Sequence, residues 1–169
     1  WSKHLDIVKT NLEKNRFAVE IFENSAAVID KISTIISKTD KIGLGGSLTL
    51  TQIGLIEFFQ KNGYYIINPP DYSQPMELMR EQRRQSLLAD VFFCSTNALT
   101  KDGYLVNIDG MSNRVAALLF GPKKVYIIAG INKIVENREA GIARIKNYVA
   151  PQNVKRLNRQ TPCIQTGIC

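Results

Sequence analysis

Ile42-Gly43-Leu44-Gly45-Gly46-Ser47-Leu48-Thr49-Leu50 is the stretch that decides the fold class. A short apolar run enters a glycine pair and a serine, after which apolar residues recur at helical spacing through Ile53, Ile56 and Phe59 and stop at Asn62-Gly63. Strand, tight turn and helix in that order are the opening of a βαβ unit, and the spacing predicts one long helix after Ser47. Upstream, Leu5, Val8 and Leu12 fall at helical spacing, Asn15-Arg16 interrupt them, and Phe17 to Phe22 reads as an edge strand. Asn24-Ser25 then offers an N-cap to a helix whose Val28, Ile32, Ile35 and Ile36 share a face.

Downstream the alternation continues. Tyr65-Ile66-Ile67 reads as a strand, Asn68-Pro69-Pro70-Asp71 breaks the chain, and Met76, Leu78, Met79 and Leu87 mark a helix carrying Arg80, Arg83 and Arg84 on its wet face. Asp90 to Ser95 is a continuous apolar run, the pattern of a strand covered on both faces. A polar loop from Thr96 to Gly103, a strand at Tyr104 to Val106, a second polar loop from Asn107 to Asn113 and a short helix at Val115 to Leu119 follow. Lys124 to Gly130 reads as the last strand, with a helical stretch around Ile142, Ile145 and Val149 and an irregular basic tail after it. Strands alternating with helices imply an α/β layered domain with a mostly parallel sheet, whose ligands bind beyond the carboxyl ends of the strands.

At 169 residues and 44% hydrophobic side chains the chain is read as a single domain over residues 1–169, with N-terminal helices and an edge strand in 1–40 and a basic, cysteine-containing tail in 150–169. No apolar run reaches the roughly 20 residues of a membrane helix. Three cysteines are too few for a disulfide framework, and the expected compartment is the cytoplasm. His4 is the single histidine, which excludes multi-histidine metal sites and leaves a Ser-His-Asp triad or Cys-His pair only through His4, a residue read as surface. The net charge of +7 is uneven: residues 1–120 are balanced, whereas Lys123, Lys124, Lys133, Arg138, Arg144, Lys146, Lys155, Arg156 and Arg159 face only Glu136 and Glu139 in the remainder. A basic end of this kind points to an anionic ligand, an acidic partner or nucleic acid, and the lack of interleaved aromatics ranks nucleic acid last.

Two stretches carry polar groups where chemistry is expected. Gly45, Gly46 and Ser47 open a helix, where close backbone approach and free N–H groups suit a phosphate or carboxylate; a plain turn capped by Ser47 or Thr49 is the alternative. Ser95 to Arg114 gathers Asn97, Asn107, Asp109, Gly110, Asn113 and Arg114 between apolar strands, with Asp102-Gly103 read as a hairpin turn. Asp109 is the candidate acid or base and Arg114 the candidate anion clamp, unless the two pair with each other or cap the next helix. Lys133, just beyond Gly130, could meet the same anion, and Cys94 reads as a core residue.

Gly45-Gly46-Ser47-x-Thr49, Ala89-Asp90-Val91, Asn97-Ala98, Gly103-x-Leu105-Val106-Asn107-x-Asp109-Gly110-x-x-Asn113-Arg114, Phe120-Gly121-Pro122-Lys123-Lys124 and Gly130-x-Asn132-Lys133 together resemble the blocks of the lactate-utilization, or LUD, domain family. Ala150-Pro151-x-Asn153-x-Lys155-Arg156-Leu157 and Thr161-Pro162-Cys163-x-x-Thr166-Gly167-x-Cys169 extend the resemblance to the end. It implies a three-layer, Rossmann-like α/β fold similar to CoA transferases and ribose-5-phosphate isomerases, in which a glycine turn and an Asn/Asp-Gly loop line a ligand pocket. The glutamate motif of the CoA transferases is not seen. The resemblance further implies an accessory subunit in the oxidation of L-lactate to pyruvate, working with iron–sulfur oxidoreductase subunits. The alternative is an enzyme or sensor for a phosphorylated sugar or a CoA-thioester-like metabolite, and a homo-oligomer is compatible with either. Cys163 and Cys169 resemble the start of the family's cysteine-rich C-terminal segment, and with further cysteines beyond Cys169 they would hold an iron–sulfur cluster or zinc.

Overall fold

The computed structural model describes residues 2–71 and 73–169. In chain order it forms α1 (Ser2–Lys14), α2 (Ser25–Ile35), β1 (Lys41–Leu44), α3 (Leu48–Gln52), α4 (Leu55–Lys61), β2 (Tyr65–Ile66), α5 (Met76–Gln85), β3 (Val91–Cys94), β4 (Ala98–Thr100) and β5 (Leu105–Val106). These are followed by α6 (Asn113–Leu119), β6 (Lys124–Ile127), β7 (Ile134–Val135), α7 (Arg138–Arg144), a π-helical turn at Ile145–Val149, α8 (Ala150–Arg156) and α9 (Pro162–Thr166). The chain divides into two compact units. Ile21–Ser95 and Asp109–Ala129 make a sheet unit, and the residues up to Glu20, with Thr96–Ile108 and Gly130–Cys169, make a hairpin unit.

The sheet unit is an α/β fold built on a parallel sheet of order β2-β1-β3-β6. Alternation along the strands sends Ile42, Leu44, Val91 and Phe93 to one face, where Ile32 and Ile36 of the α2 segment and Leu50, Leu55, Ile56 and Phe59 of α3 and α4 cover them. Phe92 and Cys94 point the other way and meet Leu87, Ala117 and Leu118. Helical elements on both faces of a parallel sheet give the three-layer, Rossmann-like arrangement expected from the sequence. Asn24 caps α2 as expected, its Oδ1 accepting from the Ala27 N–H at 3.0 Å.

Local departures from the sequence reading have physical causes. Phe17 to Phe22 forms no strand among the described residues: Arg16 turns left-handed at φ 65° and the Phe17 N–H closes α1 by donating to the Leu12 carbonyl at 3.1 Å, so the chain leaves the helix in a turn that does not deliver it into a sheet ladder. The single helix expected after Ser47 is two, because Gly54 stands at φ 79° between α3 and α4; the bend lets Leu50 and Leu55 both become fully buried. The polar loop at Thr96 to Gly103 contains β4, β6 is not the last strand, and the tail read as irregular is helical through α8 and again in α9.

The hairpin unit carries its own sheet, β5-β4-β7, with β4 antiparallel to β5 and parallel to β7. The expected Asp102-Gly103 turn joins β4 to β5, and Gly103 stands at φ 87°. Helix α1 lies against this turn so closely that a Cβ on Gly103 would fall 2.6 Å from the Asn11 backbone. Two asparagines of the α1 end fasten it there: Asn11 Nδ2 donates to the Lys101 carbonyl and Asn15 Nδ2 to the Gly103 carbonyl, each at 2.9 Å. Among the described residues no helix is long and apolar enough to cross a membrane.

Gly103→Ala combines a left-handed φ with a backbone collision, and chemical denaturation should show a loss of about 1–3 kcal/mol or more. A pH effect follows from Asp90, whose carboxylate accepts from Lys123 Nζ at 2.6 Å and from the Lys41 N–H at 2.9 Å, tying the start of β3 to β1 and to the segment before β6. The Lys123 hydrogen bond is the main cause that holds the Asp90 carboxyl below its ordinary value, with the Lys41 N–H next. A lowered folded-state value stabilises the fold above the unfolded-state value and loses that contribution as pH falls through the folded one. The melting-temperature gap between the unmutated protein and Asp90→Asn should therefore be full at neutral pH and close as pH drops below about 4.

Candidate functional site

Strand order places β1 and β3 side by side, yet their connections diverge: β1 leads to α3 on one face of the sheet, whereas α6, the next helix of the unit after β3, covers the other. Where neighbouring strands send their chains to opposite faces, the carboxyl ends are left uncovered, which is where ligands of open α/β sheets sit. The residues at this point are Gly45, Gly46 and Ser47 after β1, Ser95 after β3, and the Asp109 to Arg114 segment that leads into α6.

Gly45 continues the ladder, its N–H donating to the Phe93 carbonyl at 2.9 Å. A Cβ at Gly45 would lie 2.8 Å from Cys94 Cβ and 3.0 Å from Arg114 Cγ, so only glycine lets the arginine stem pass. Asn68 squares off the end of β1 by accepting from the Leu44 N–H at 2.7 Å and donating to the Leu44 carbonyl at 2.6 Å, as a neighbouring peptide would. Ser47 occupies the N-cap position of α3, and its side chain makes no capping bond.

Arg114 and Asp109 form a nearly buried ion pair, 12% and 10% exposed. Arg114 Nε and Nη2 both donate to Asp109 Oδ1, at 3.0 and 2.6 Å, and Nη1 donates to the Ser95 carbonyl at 2.8 Å. The second carboxylate oxygen accepts the Val115 N–H at 2.9 Å and so caps α6, whose preceding Ser112 is left-handed at φ 58°. Pairing and capping occur together: the two residues pair, and the carboxylate starts the helix. With both oxygens of Asp109 engaged, its chemistry here is to anchor a cation at the end of β3. Gly110 is exposed on the connecting loop, and Asn113 is the half-buried first residue of α6.

The other expected site residues, Asn97, Asn107 and Lys133, belong to the hairpin unit. The antiparallel register that sets Ala98 against Val106 makes Asn97 and Asn107 the next opposed pair. Asn107 Oδ1 accepts the Asn97 N–H at 3.1 Å and Asn97 Oδ1 accepts the Ile108 N–H at 3.0 Å, so the two amides close the open end of the hairpin on each other. Lys133 Nζ donates to the Thr96 carbonyl at 3.1 Å. Arg144, one basic residue among many in the sequence and not distinguished there by any motif, donates to the Asn97 carbonyl at 3.0 Å and to the Asn132 carbonyl at 3.3 Å. Within the hairpin unit the Thr96 and Asn97 carbonyls thus each accept from a different cationic side chain, as the Ser95 carbonyl does in the sheet unit.

Cys163 is buried on α9 with its sulfur 3.0 Å from the Thr161 hydroxyl, Cys169 is exposed, and Cys94 is buried in β3 as expected of a core residue. Two thiols do not complete a tetrahedral site, and among the described residues no three His, Cys, Asp or Glu side chains are grouped. The residues present therefore do not fit a zinc ion or an iron–sulfur cluster by themselves. His4 is exposed on α1.

Removing the guanidinium in Arg114→Ala leaves the Asp109 carboxylate nearly buried without its cation, and urea unfolding should report a loss of about 3–5 kcal/mol. The double variant Arg114→Met with Asp109→Leu should recover a large part of it, because a matched apolar pair leaves no uncompensated charge.

Comparison with known proteins adds family membership. Neither the curated proteins nor the solved structures contain a significant match to the chain. A family model described as LUD domain matches residues 5–168, nearly the whole of it. The chain, with its glycine turn after β1 and its Asp109–Arg114 anchor after β3, belongs to the LUD domain family.

Proposed function

We propose that this LUD domain works in lactate utilisation as an accessory subunit in the oxidation of L-lactate to pyruvate, and that it binds a small anionic metabolite at the carboxyl ends of β1 and β3. The family match over residues 5–168 carries the reading, since lactate utilisation is what the family is named for. Partner subunits holding iron–sulfur clusters would supply the redox chemistry, and the cytoplasm is the compartment in which the reading places it. Any metal held through Cys163 and Cys169 would need ligands from outside the described residues.

The anion half is supported by how the end of the sheet is built. Gly46 is exposed at the turn that leads into α3, and the first N–H groups of α3 have no partners within the helix. Arg114 is held in place before any ligand arrives, by Asp109 on one side and the Ser95 carbonyl on the other, so its ordering adds no cost to binding. Asp109 positions that cation and is assigned no proton transfer. A second reading, an enzyme or sensor for a phosphorylated sugar or a CoA-thioester-like metabolite, draws on the same glycine turn, because phosphate and carboxylate both suit backbone N–H donors.

Melting temperatures measured with L-lactate, sugar phosphates and CoA esters test both. A ligand at about 100 times its Kd should raise the melting temperature by roughly 5–10 °C. Ser47→Asp should keep the melting temperature of the free protein, since aspartate is as good an N-cap as serine, but abolish the rise by placing a carboxylate against the anion. If no member of the panel produces a rise, the anion site is lost. If L-lactate is inert and a phosphorylated compound is active, the second reading replaces the first. Affinity purification of the tagged protein from lactate-grown cells should bring down an iron–sulfur oxidoreductase, and its absence would remove the accessory-subunit role.

A further inference from the structure

Residues 140–169 contain Arg144, Lys146, Lys155, Arg156 and Arg159 and no aspartate or glutamate. Elsewhere several cations are paired with carboxylates, as in Lys61 with Glu57, Lys101 with Glu136, Arg114 with Asp109 and Lys123 with Asp90. Among the described residues no salt bridge reaches Lys146, Lys155, Arg156 or Arg159. The first three of these are exposed, on a helical run that continues from α7 through the π-helical turn into α8. Lys155 follows Tyr148 by two helical turns, which puts both on one face, and the Arg144 guanidinium lies 5.6 Å above the Tyr148 ring on the same run.

Apolar side chains are exposed among these charges. Tyr148 is 60% exposed, Ile164 44% and Ile168 59%. Helix α9 packs on α8, and the Cys169 N–H donates to the Lys146 carbonyl at 2.9 Å, which fixes the Ile168 end of the chain beside the π-helical turn. Cations lacking counter-charges and interspersed with uncovered isoleucines and a tyrosine are the complement of a surface that carries carboxylates around apolar residues.

We infer that the face made by the π-helical turn, α8 and α9 docks an acidic, amphipathic segment of a partner protein, with Lys146, Lys155 and Arg156 meeting its carboxylates and Tyr148, Ile164 and Ile168 its apolar side chains. A phosphodiester backbone offers nothing for the isoleucines to bury against, and no ladder of aromatics is present to stack bases. A lipid surface calls for a broad apolar side, whereas the exposed apolar side chains here are scattered, Tyr148 on the longer helical run and Ile164 and Ile168 at α9 and just beyond it. The inference rests on the accessory-subunit reading for the need of a partner and is independent of the anion site.

The probe is a fluorescein-labelled synthetic helix of glutamate and leucine at heptad spacing, titrated with the full chain and followed by anisotropy at two salt concentrations. Saturable binding is expected, weaker at the higher salt. The triple variant Lys146→Glu, Lys155→Glu, Arg156→Glu should weaken it about tenfold or more, from three reversed surface pairs. Ile164→Ser with Ile168→Ser should weaken it severalfold, and Lys124→Glu, a reversal in the sheet unit, should not. No saturable binding, equal binding by the triple variant, or tighter binding of the unmutated protein to duplex DNA or phosphatidylserine vesicles would each overturn the inference. The triple variant should keep its circular dichroism and any anion-induced rise in melting temperature, which separates loss of this face from loss of the anion site. If the peptide binds as expected while affinity purification brings down no oxidoreductase, the docking face stands and the accessory role falls.

Discussion

Four consecutive residues, Val91-Phe92-Phe93-Cys94, are between 0% and 3% exposed, and the sheet unit is the solution to burying all four. A strand hidden on both faces and both edges needs a pairing partner on each side and a helical layer above and below. Its edges are met by β1 and β6 in parallel register, which forces every connection in this unit to cross the sheet. One face is met by α2, α3 and α4, and the Phe93 ring is enclosed by Phe59 and Tyr126 with centroids 5.2 Å away in both cases. The remaining face is met by Leu87, Ala117 and Leu118. Removing any one of these neighbours exposes part of β3 to water.

The same burial creates the polar problem at the strand's exit. A backbone leaving a dry core carries carbonyls that must find donors, and an unsatisfied one costs about 1–3 kcal/mol. Here the Ser95 carbonyl finds Arg114, and within the hairpin unit the Thr96 and Asn97 carbonyls find Lys133 and Arg144. Charged donors are strong ones, and Asp109 in turn neutralises Arg114. Positive charge at the end of β3 is in this sense first a device for ending a buried strand, and any ligand chemistry there is built on a cation the fold already needed.

Much of the architecture could be read directly from the chain. The continuous apolar run from Val91 to Cys94 reads as a strand covered on both faces and Asp102-Gly103 as a hairpin turn, and the structure has both. Gly45 reads from the sequence as a place of close approach, and what approaches in the structure is the Arg114 stem. Three things could not be read. Whether Phe17 to Phe22 pairs depends on a neighbour, which alternation of side chains does not encode. The bend at Gly54 was masked because a stripe through Ile53, Ile56 and Phe59 is as regular across a break as along a straight helix. The role of Arg144 lies in two backbone carbonyls, and carbonyls are common to every residue type.

The path of the chain between its two units has a consequence for handling the molecule. It passes from one to the other at 20/21, 95/96, 108/109 and 129/130, so each unit is assembled from separated segments. The hairpin of β4 and β5 is spelled out between β3 and β6, two strands that must lie side by side. A single proteolytic nick cannot release either unit as one covalent piece, and neither can be expressed alone by choosing a start and a stop codon. Swapping one against a homologue requires cutting and rejoining the gene at each passage, and a ribosome has to finish β6 before β3 can acquire its last neighbour.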